Sequence, residues 1–323
     1  MKAIVQDKFG EADVLEFREV PDPVIGDDEV LIQVRAAGAG PDVWHVMAGK
    51  PYIARPVPEF RRMWKAPRGR DVAGVVEQVG VNVTEFMPGD EVMGIVDGSF
   101  AEYAVGSPSK LARKPERLSF EQAAAVPIMG VTALQALRDI AQVQSGQRVL
   151  VIGASGGVGT LAVQIAKAFG AAVTGVASGE NADAVRSLGA DDVIDYTRED
   201  FTDGRRQWDV IIDTAGRRPL RKLRRALTNN GTLVIVGSDG GGNWTGGIGR
   251  QMLRAPIVSM FTRQRLVGVT GKEKGEDIET LRGMAEAGKL TPLVAKTFAL
   301  PDAAEAVRLI HESHTAGKII VTP

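Results

Sequence analysis

Val149-Leu150-Val151-Ile152-Gly153-Ala154-Ser155-Gly156-Gly157-Val158-Gly159-Thr160 is the stretch that decides the fold. Four apolar residues in succession read as a strand buried on both faces, and a helical pattern from Thr160 to Phe169 follows the glycines directly. Between them stands G-x-x-G-x-x-G. In such a turn the first glycine allows the tight bend, the second lets backbone approach a pyrophosphate, and the third permits close strand–helix packing. The phosphates then rest on the donor-rich N-terminus of the helix. A bare glycine triplet is weak evidence; its place between strand and helix, in a unit of the right length, is what a dinucleotide site requires. The competing reading is a structural glycine-rich turn.

Outward from the turn, Ala172–Val176, Asp192–Ile194, Val210–Ile212 and Thr232–Val236 are further short apolar runs, with helical patterns at Asp183–Leu188 and Leu220–Leu227. Strands alternating with helices predict an α/β, doubly wound parallel sheet covered on both faces. Upstream, Val30–Val34, Val72–Val79 and Glu91–Val96 are entered through turns such as Gly26-Asp27-Asp28 and Pro88-Gly89-Asp90, which predicts a β-rich, barrel-like module. Between them Pro51–Arg70, with four prolines and the aromatics Tyr52, Phe60 and Trp64, reads as a long loop. Leu293–Pro323 returns to a strand, a helix over Pro301–His311 and a strand over Lys318–Val321. The only low-complexity tract is Gly240–Gly249, read as a mobile loop.

The chain has 323 residues, which at about 150 per domain suggests two domains. Its 39 Lys+Arg against 40 Asp+Glu leave a formal charge of −1, so a whole-chain basic balance toward nucleic acid is absent. No cysteine is present, which excludes disulfides and thiolate metal sites. No window reaches the roughly 18 apolar residues of a membrane span, and the opening residues lack a signal-peptide core, so a cytoplasmic protein is expected. The strand after the glycine turn ends Val176-Ala177-Ser178-Gly179, a small residue and a hydroxyl where an NAD site carries an acid. That favours NADPH over NADH, although Glu180 acts against it and no Lys or Arg comes before Arg186.

GASGGVGTLAVQIAKAFGA, LGADDVIDY, DVIIDTAG and GTLVIVGS together resemble the cofactor domain of the medium-chain dehydrogenase/reductases, in their zinc-independent, quinone-oxidoreductase-like branch. The likeness extends over nearly the whole chain: MKAIV at the start, PGDEV at 88–92, FAEYAV at 100–105, AAVPIMGVTAL at 124–134 and GKIIV at 317–321. It implies a GroES-like catalytic domain of residues 1–122 and 293–323, a Rossmann cofactor domain of residues 123–292, and nicotinamide and substrate in the cleft between them. By position it also implies cofactor contacts from Thr132, Ala215, Gly216, Gly237 and Ser238 beside Gly153, Ser155, Gly156, Gly157, Val158 and Gly159. Ser178 and Tyr196 would bind the 2′-phosphate region and Lys318 would close the site. A homodimer through sheet edges is implied, with Leu266–Val269 as the edge strand.

Zinc enzymes of the wider family carry a Cys, a GHE motif and a second Cys or Asp. This chain reads Gly38-Ala39-Gly40-Pro41-Asp42 near the first and Gly69-Arg70-Asp71 at the second, so no zinc is expected. Relatives often read N-P-x-D near Gly40-Pro41-Asp42-Val43, and the departure puts polar roles of this segment in doubt. Of the three histidines, His311 and His314 have helical spacing but no carboxylate cluster nearby, and read as a solvated helix end. Without a Lewis acid to stabilise an alkoxide, hydride addition to a quinone or an α,β-unsaturated carbonyl is the reaction expected, since one or two donors can hold the developing oxyanion. Tyr52 is the candidate donor and Trp44 a candidate wall for a flat substrate; an exposed loop aromatic and an ordinary core residue are the alternatives. Two other functions stay open: an NAD(P)-dependent alcohol dehydrogenase without zinc, and a protein that binds NADPH for a non-catalytic role. Of two basic stretches, Arg217–Arg225 reads as the solvated face of a sheet-covering helix, with contact to an anionic membrane or nucleic acid as the alternative, and Arg61–Arg70 as a means of steering an anionic substrate or the cofactor phosphates.

Overall fold

The computed structural model describes residues 1–237, 254–269, 271–312 and 316–323. Ser238, His314 and the Gly240–Gly249 tract lie outside them. The chain divides into two compact units, Met1–Val131 with Lys272–Pro323, and Thr132–Gly271.

The first unit opens with β1 (Lys2–Val5) and β2 (Glu16–Glu19), paired antiparallel. β3 (Val30–Ala39) is the long spine of a second sheet, with Val30, Ile32 and Val34 buried and the residues between them less so. Helix α1 (Pro41–Ala48) starts with proline at its first turn, where the missing N–H costs nothing, and Gly49 at φ +62° ends it. The expected loop over 51–70 contains a second helix, α2 (Pro58–Lys65). Proline again sits in its first turn, and its single buried residue, Phe60, meets Phe9. Proline count therefore marked two helix starts as well as loop. β4 (Asp71–Val79), β5 (Glu91–Ile95), β6 (Tyr103–Gly106) and β7 (Leu111–Arg113) follow, then α3 (Phe120–Ala124), with a Ser119–Gln122 capping box, and α4 (Pro127–Leu134).

The second unit is the predicted parallel sheet. β8 (Arg148–Ile152) leads into α5 (Gly157–Ala168), three residues earlier than the apolar pattern suggested, because glycine N–H groups form the first turn. β9 (Ala172–Ala177), α6 (Ala182–Ser187), β10 (Asp192–Asp195), β11 (Trp208–Asp213), α7 (Leu220–Arg225), β12 (Leu227–Ile235) and β13 (Arg265–Gly268) complete it. α7 stops at Arg225 because Leu227 is already in the sheet opposite Trp208. The strand order β10-β9-β8-β11-β12-β13 reverses direction between β8 and β11, which is the switch point at which such sheets bind ligands. Leu150, Ile211, Leu223, Leu233 and Leu266, each at most 1% exposed, lie in its core cluster.

The chain then returns to the first unit through α8 (Gly275–Glu286), β14 (Val294–Ala299), α9 (Ala303–Glu312) and β15 (Lys318–Thr322), giving the sheet order β14-β15-β3-β4-β5-β7 with β6 also on β3. Residues 123–131 and 272–292, placed in the cofactor domain by the sequence, cluster with this unit. The reason is visible in α8, where Glu286 accepts the Glu116 N–H (2.9 Å) and Gly275 lies against the Ser109 carbonyl.

Candidate active site

In the second unit β8 delivers Gly153 at φ +76°, a conformation that glycine adopts without strain. The Thr214 hydroxyl donates to the Ile152 carbonyl at 2.8 Å and fills the space where a Gly153 Cβ would stand. Gly159 is the tightest position: a Cβ there would strike the Gly153 carbonyl oxygen and lie 2.8 Å from Ala154 Cα. The helix is thus seated directly on the strand end. Gly156, the N-cap, has no side-chain cap bond, and its Cβ direction meets only the Gly153 carbonyl at 3.4 Å. Ser155, Gly156, Gly157 and Val158 are all half-exposed. An open face of unclaimed first-turn N–H groups at a sheet switch point fits a dinucleotide pyrophosphate.

Around the same carboxyl ends lie Ala215 and Gly216, whose N–H groups donate to Asp213 Oδ1 at 3.2 and 2.9 Å. Asp213 is 1% exposed and its Oδ2 has no partner among the described residues. Burial pushes its carboxyl up to about 6, with the two N–H bonds pulling the other way. Gly237 is packed on the Thr214 carbonyl, where no Cβ fits. Thr132 is half-buried on α4.

At the end of β9, Ser178 is half-exposed and its hydroxyl accepts from Asn181 Nδ2 at 3.2 Å. Tyr196, just past β10, is 38% exposed. The residue that the sequence reading missed is Asp195. It pairs with Ala177 in the sheet register, which brings a carboxylate to the rim that looked free of acid. The Thr197 hydroxyl (2.7 Å) and N–H (2.9 Å) donate to Asp195 Oδ1. The Thr197 hydroxyl first, then its N–H, holds this carboxyl below the usual range. The end of β9 itself carries no acid; this carboxylate comes from the neighbouring strand β10.

The other sequence-predicted residues belong to the first unit. Lys318, first residue of β15, is 4% exposed, and its ammonium donates to Asp71 Oδ2 at 2.8 Å. Asp71, 1% exposed, also accepts the Ile128 N–H at 2.7 Å. Burial pushes the Asp71 carboxyl up, Lys318 pulls it down, and Asp42 adds to the upward push. Asp42 Oδ1 is buried with no partner among the described residues. It shares with Lys318 Nζ the space before Gly40, whose Cβ would stand 2.5 Å from the first and 2.9 Å from the second. Beside them Arg70 donates to Glu273 (2.6 Å) and to Asp97 (3.4 Å), and Lys110 holds the other Glu273 oxygen at 2.6 Å. Burial acts against the Arg70 cation, but Glu273, Asp42 and Asp97 together offset it and its pKa is raised. Arg68 caps the end of α2 through the Met63, Trp64 and Ala66 carbonyls, and burial lowers its pKa to about 10.

Sequence reading found Arg70 and Asp71 only as departures from a metal motif; the ion-pair centre that they form with Lys318 and Glu273 had no local signal. Its chemistry does not suit Zn²⁺: Arg70 and Lys318 bring two cations to the region where ligands would fall, and the three carboxylates they touch, Asp71, Asp97 and Glu273, are already engaged. Among the described residues no three His, Asp or Glu side chains converge as metal ligands would. Trp44, on α1, packs partly against the core and meets His45 edge-on at 5.2 Å. Tyr52 is half-buried, with the Arg55 guanidinium 4.4 Å from its ring.

Comparison with known proteins agrees with this architecture. The alcohol dehydrogenase GroES-like domain family matches residues 26–116 and the zinc-binding dehydrogenase family matches residues 188–321. Human quinone oxidoreductase is 33% identical over 99% of this chain and 97% of its own, and the mouse mitochondrial NAD(P)H oxidoreductase RTN4IP1 is 30% identical over 99% and 89%. Among solved structures, the quinone oxidoreductase from Coxiella burnetii superposes with a TM-score of 0.87 at 31% identity, covering 100% of this chain and 99% of that one. An NAD-dependent alcohol dehydrogenase superposes at 0.85 and 31%, covering 100% of both. The chain belongs to the medium-chain dehydrogenase/reductase superfamily, in its quinone-oxidoreductase-like branch, and is an NAD(P)H oxidoreductase.

Proposed function

We propose that this member of the quinone-oxidoreductase-like branch is a zinc-independent reductase that passes hydride from NADPH to a quinone or an α,β-unsaturated carbonyl. The observation that carries the reading is the centre of the first unit, where Arg70 and Lys318 are locked in ion pairs in the region of the lost metal ligands. A conjugated acceptor needs no metal alkoxide, only donors for the oxygen on which charge develops. The reduced nicotinamide supplies the hydride when bound. The chain's own residues do the rest: Gly153–Gly159 hold the pyrophosphate on the N-terminus of α5, Trp44 offers an apolar face, and the Tyr52 hydroxyl donates to the developing oxyanion.

The test is cofactor consumption with NADPH and NADH across quinones, enones, enals and saturated aldehydes. Turnover of quinones or enones is expected, and Tyr52→Phe should lower kcat about tenfold with cofactor affinity unchanged. Turnover confined to saturated aldehydes would move the protein to the alcohol dehydrogenases. Tight nucleotide binding without any turnover would support a non-catalytic role.

A second reading of the cofactor alone, NADH, is favoured by Asp195, whose carboxylate lies against Gly179, the residue after Ser178, on the rim meant for a 2′-phosphate. The homodimer is supported by β13, bonded on one side only among the described residues, and by its neighbours Ile257, Met260 and Phe261, which are 59, 80 and 82% exposed. Light scattering of the wild type and of Phe261→Asp tests it. A cytoplasmic location is part of the proposal, tested by cell fractionation; among the described residues no helix is long and apolar enough to cross a membrane.

A further inference from the structure

The basic run on α7 takes no part in this chemistry, yet the structure gives it a concave shape. Arg221, Arg224 and Arg225 stand at i, i+3 and i+4 on one helix face, and Arg263, just before β13, joins them around a groove of about 530 Å³. None of the four makes an ion pair among the described residues. Elsewhere in the unit Arg148, Lys167, Arg206 and Lys222 each meet an aspartate, at 3.6, 2.8, 2.6 and 3.4 Å. The floor of the groove is fixed. Arg224 Nε donates to Gln264 Oε1 at 3.0 Å, while Gln264 Nε2 donates to the carbonyls of Arg224 (2.9 Å) and Thr228 (3.2 Å). Asn229 and Thr262 add uncharged polar groups to the wall.

Four guanidinium groups gathered without a carboxylate repel one another, and that repulsion is relieved by an anion from outside. Their planar forks match phosphate oxygens in pairs. The groove's volume falls within the roughly 300–1,000 Å³ of small-molecule sites. It lies at the amino ends of β12 and β13, whereas the glycine turn follows the carboxyl end of β8 in the same parallel sheet. At about 3.3 Å per residue, a five-residue strand separates those two ends by roughly 16 Å. We propose that this groove is a second anion site, distinct from the dinucleotide cradle, and that it binds a compact chain of phosphates, either free or on a nucleoside. A nucleic-acid backbone is the poorer match, because the charge is confined to one groove of a chain whose net charge is −1.

The experiment is calorimetric titration, at low salt and with the protein saturated with its dinucleotide, using tripolyphosphate, magnesium-free ATP and a short single-stranded oligonucleotide. One tripolyphosphate or ATP per chain is expected. Tighter binding of ATP would assign the nucleoside source, and equal binding the phosphate chain alone. The double variant Arg221→Gln/Arg225→Gln should lose about 100-fold in affinity, roughly tenfold per guanidinium, with turnover and thermal midpoint unchanged. The proposal is overturned if the wild type ignores millimolar tripolyphosphate and ATP, if the double variant binds them equally well, if saturation with dinucleotide abolishes binding, or if the oligonucleotide binds more tightly and gains affinity with length.

Discussion

In the glycine turn, consecutive residues from Gly153 to Gly159 do most of the shaping with their backbone, whereas the charged centre of the first unit draws Asp42, Arg70 with Asp71, Asp97, Glu273 and Lys318 from distant parts of the chain. The turn is intolerant of atoms: its helix sits so close to the strand that one methyl group has no room. The centre is intolerant of unpaired charge: Asp71 and Lys318 are buried against each other, and Arg70 and Glu273 beside them are half-buried and ion-paired. Each region therefore fails in its own way when a side chain is changed, and the expected failures can be ordered by size.

The largest effect belongs to the centre. Asp71→Ala leaves the Lys318 ammonium buried without its carboxylate and should cost about 3–5 kcal/mol in urea unfolding. Asp71→Ala/Lys318→Met should recover most of that; if it recovers nothing, the pair is not what holds the centre together. Next comes the turn. Gly159→Ala drives a methyl group into the Gly153 carbonyl and should cost about 1–3 kcal/mol of stability. It should also lower dinucleotide affinity at least tenfold in a fluorescence titration. Unchanged affinity would mean that the helix is not seated as described.

Asp213 lies on the turn side but obeys the rule of the centre, and so sharpens the comparison. Its folded pKa of about 6 is above the unfolded value, so the native state binds the extra proton, and stability falls as pH rises from about 4 through 6. Asp213→Asn keeps an oxygen for the Ala215 and Gly216 N–H groups and removes the charge. The variant should be more stable than wild type by about 1–2 kcal/mol at pH 7.5, with the difference vanishing below pH 4, as read from urea midpoints across pH. The smallest effect is expected at the rim, where Asp195→Asn should shift the NADPH-to-NADH ratio of kcat/KM toward NADPH by about three- to tenfold.

The same contrast explains what the sequence made legible. The glycine turn, the parallel strands and the alternation with helices are local patterns of period and spacing, and β8, β9 and β11 lie where those patterns put them, while β12 starts at Leu227, inside the expected helix, and not at Thr232. The charged centre has no local pattern, because Arg70 and Glu273 meet only through long-range folding. Asp195 escaped for a milder version of the same reason, since it is next to Ala177 in sheet register and not in sequence. α2 escaped because prolines that end one segment also begin the next.

Strand β15 has one more consequence. It pairs Ile319 with Ala39, so a translating ribosome must add 280 more residues (319 − 39) after the first partner before it can make the second. At about 5–20 residues per second that is a wait of roughly 14–56 s. The six-stranded sheet, encoded in one uninterrupted stretch, emerges complete in the interval. Nascent β3 therefore spends that time with an edge that a chaperone or a neighbouring chain can reach, and synthesis is when this protein is most exposed to misassembly.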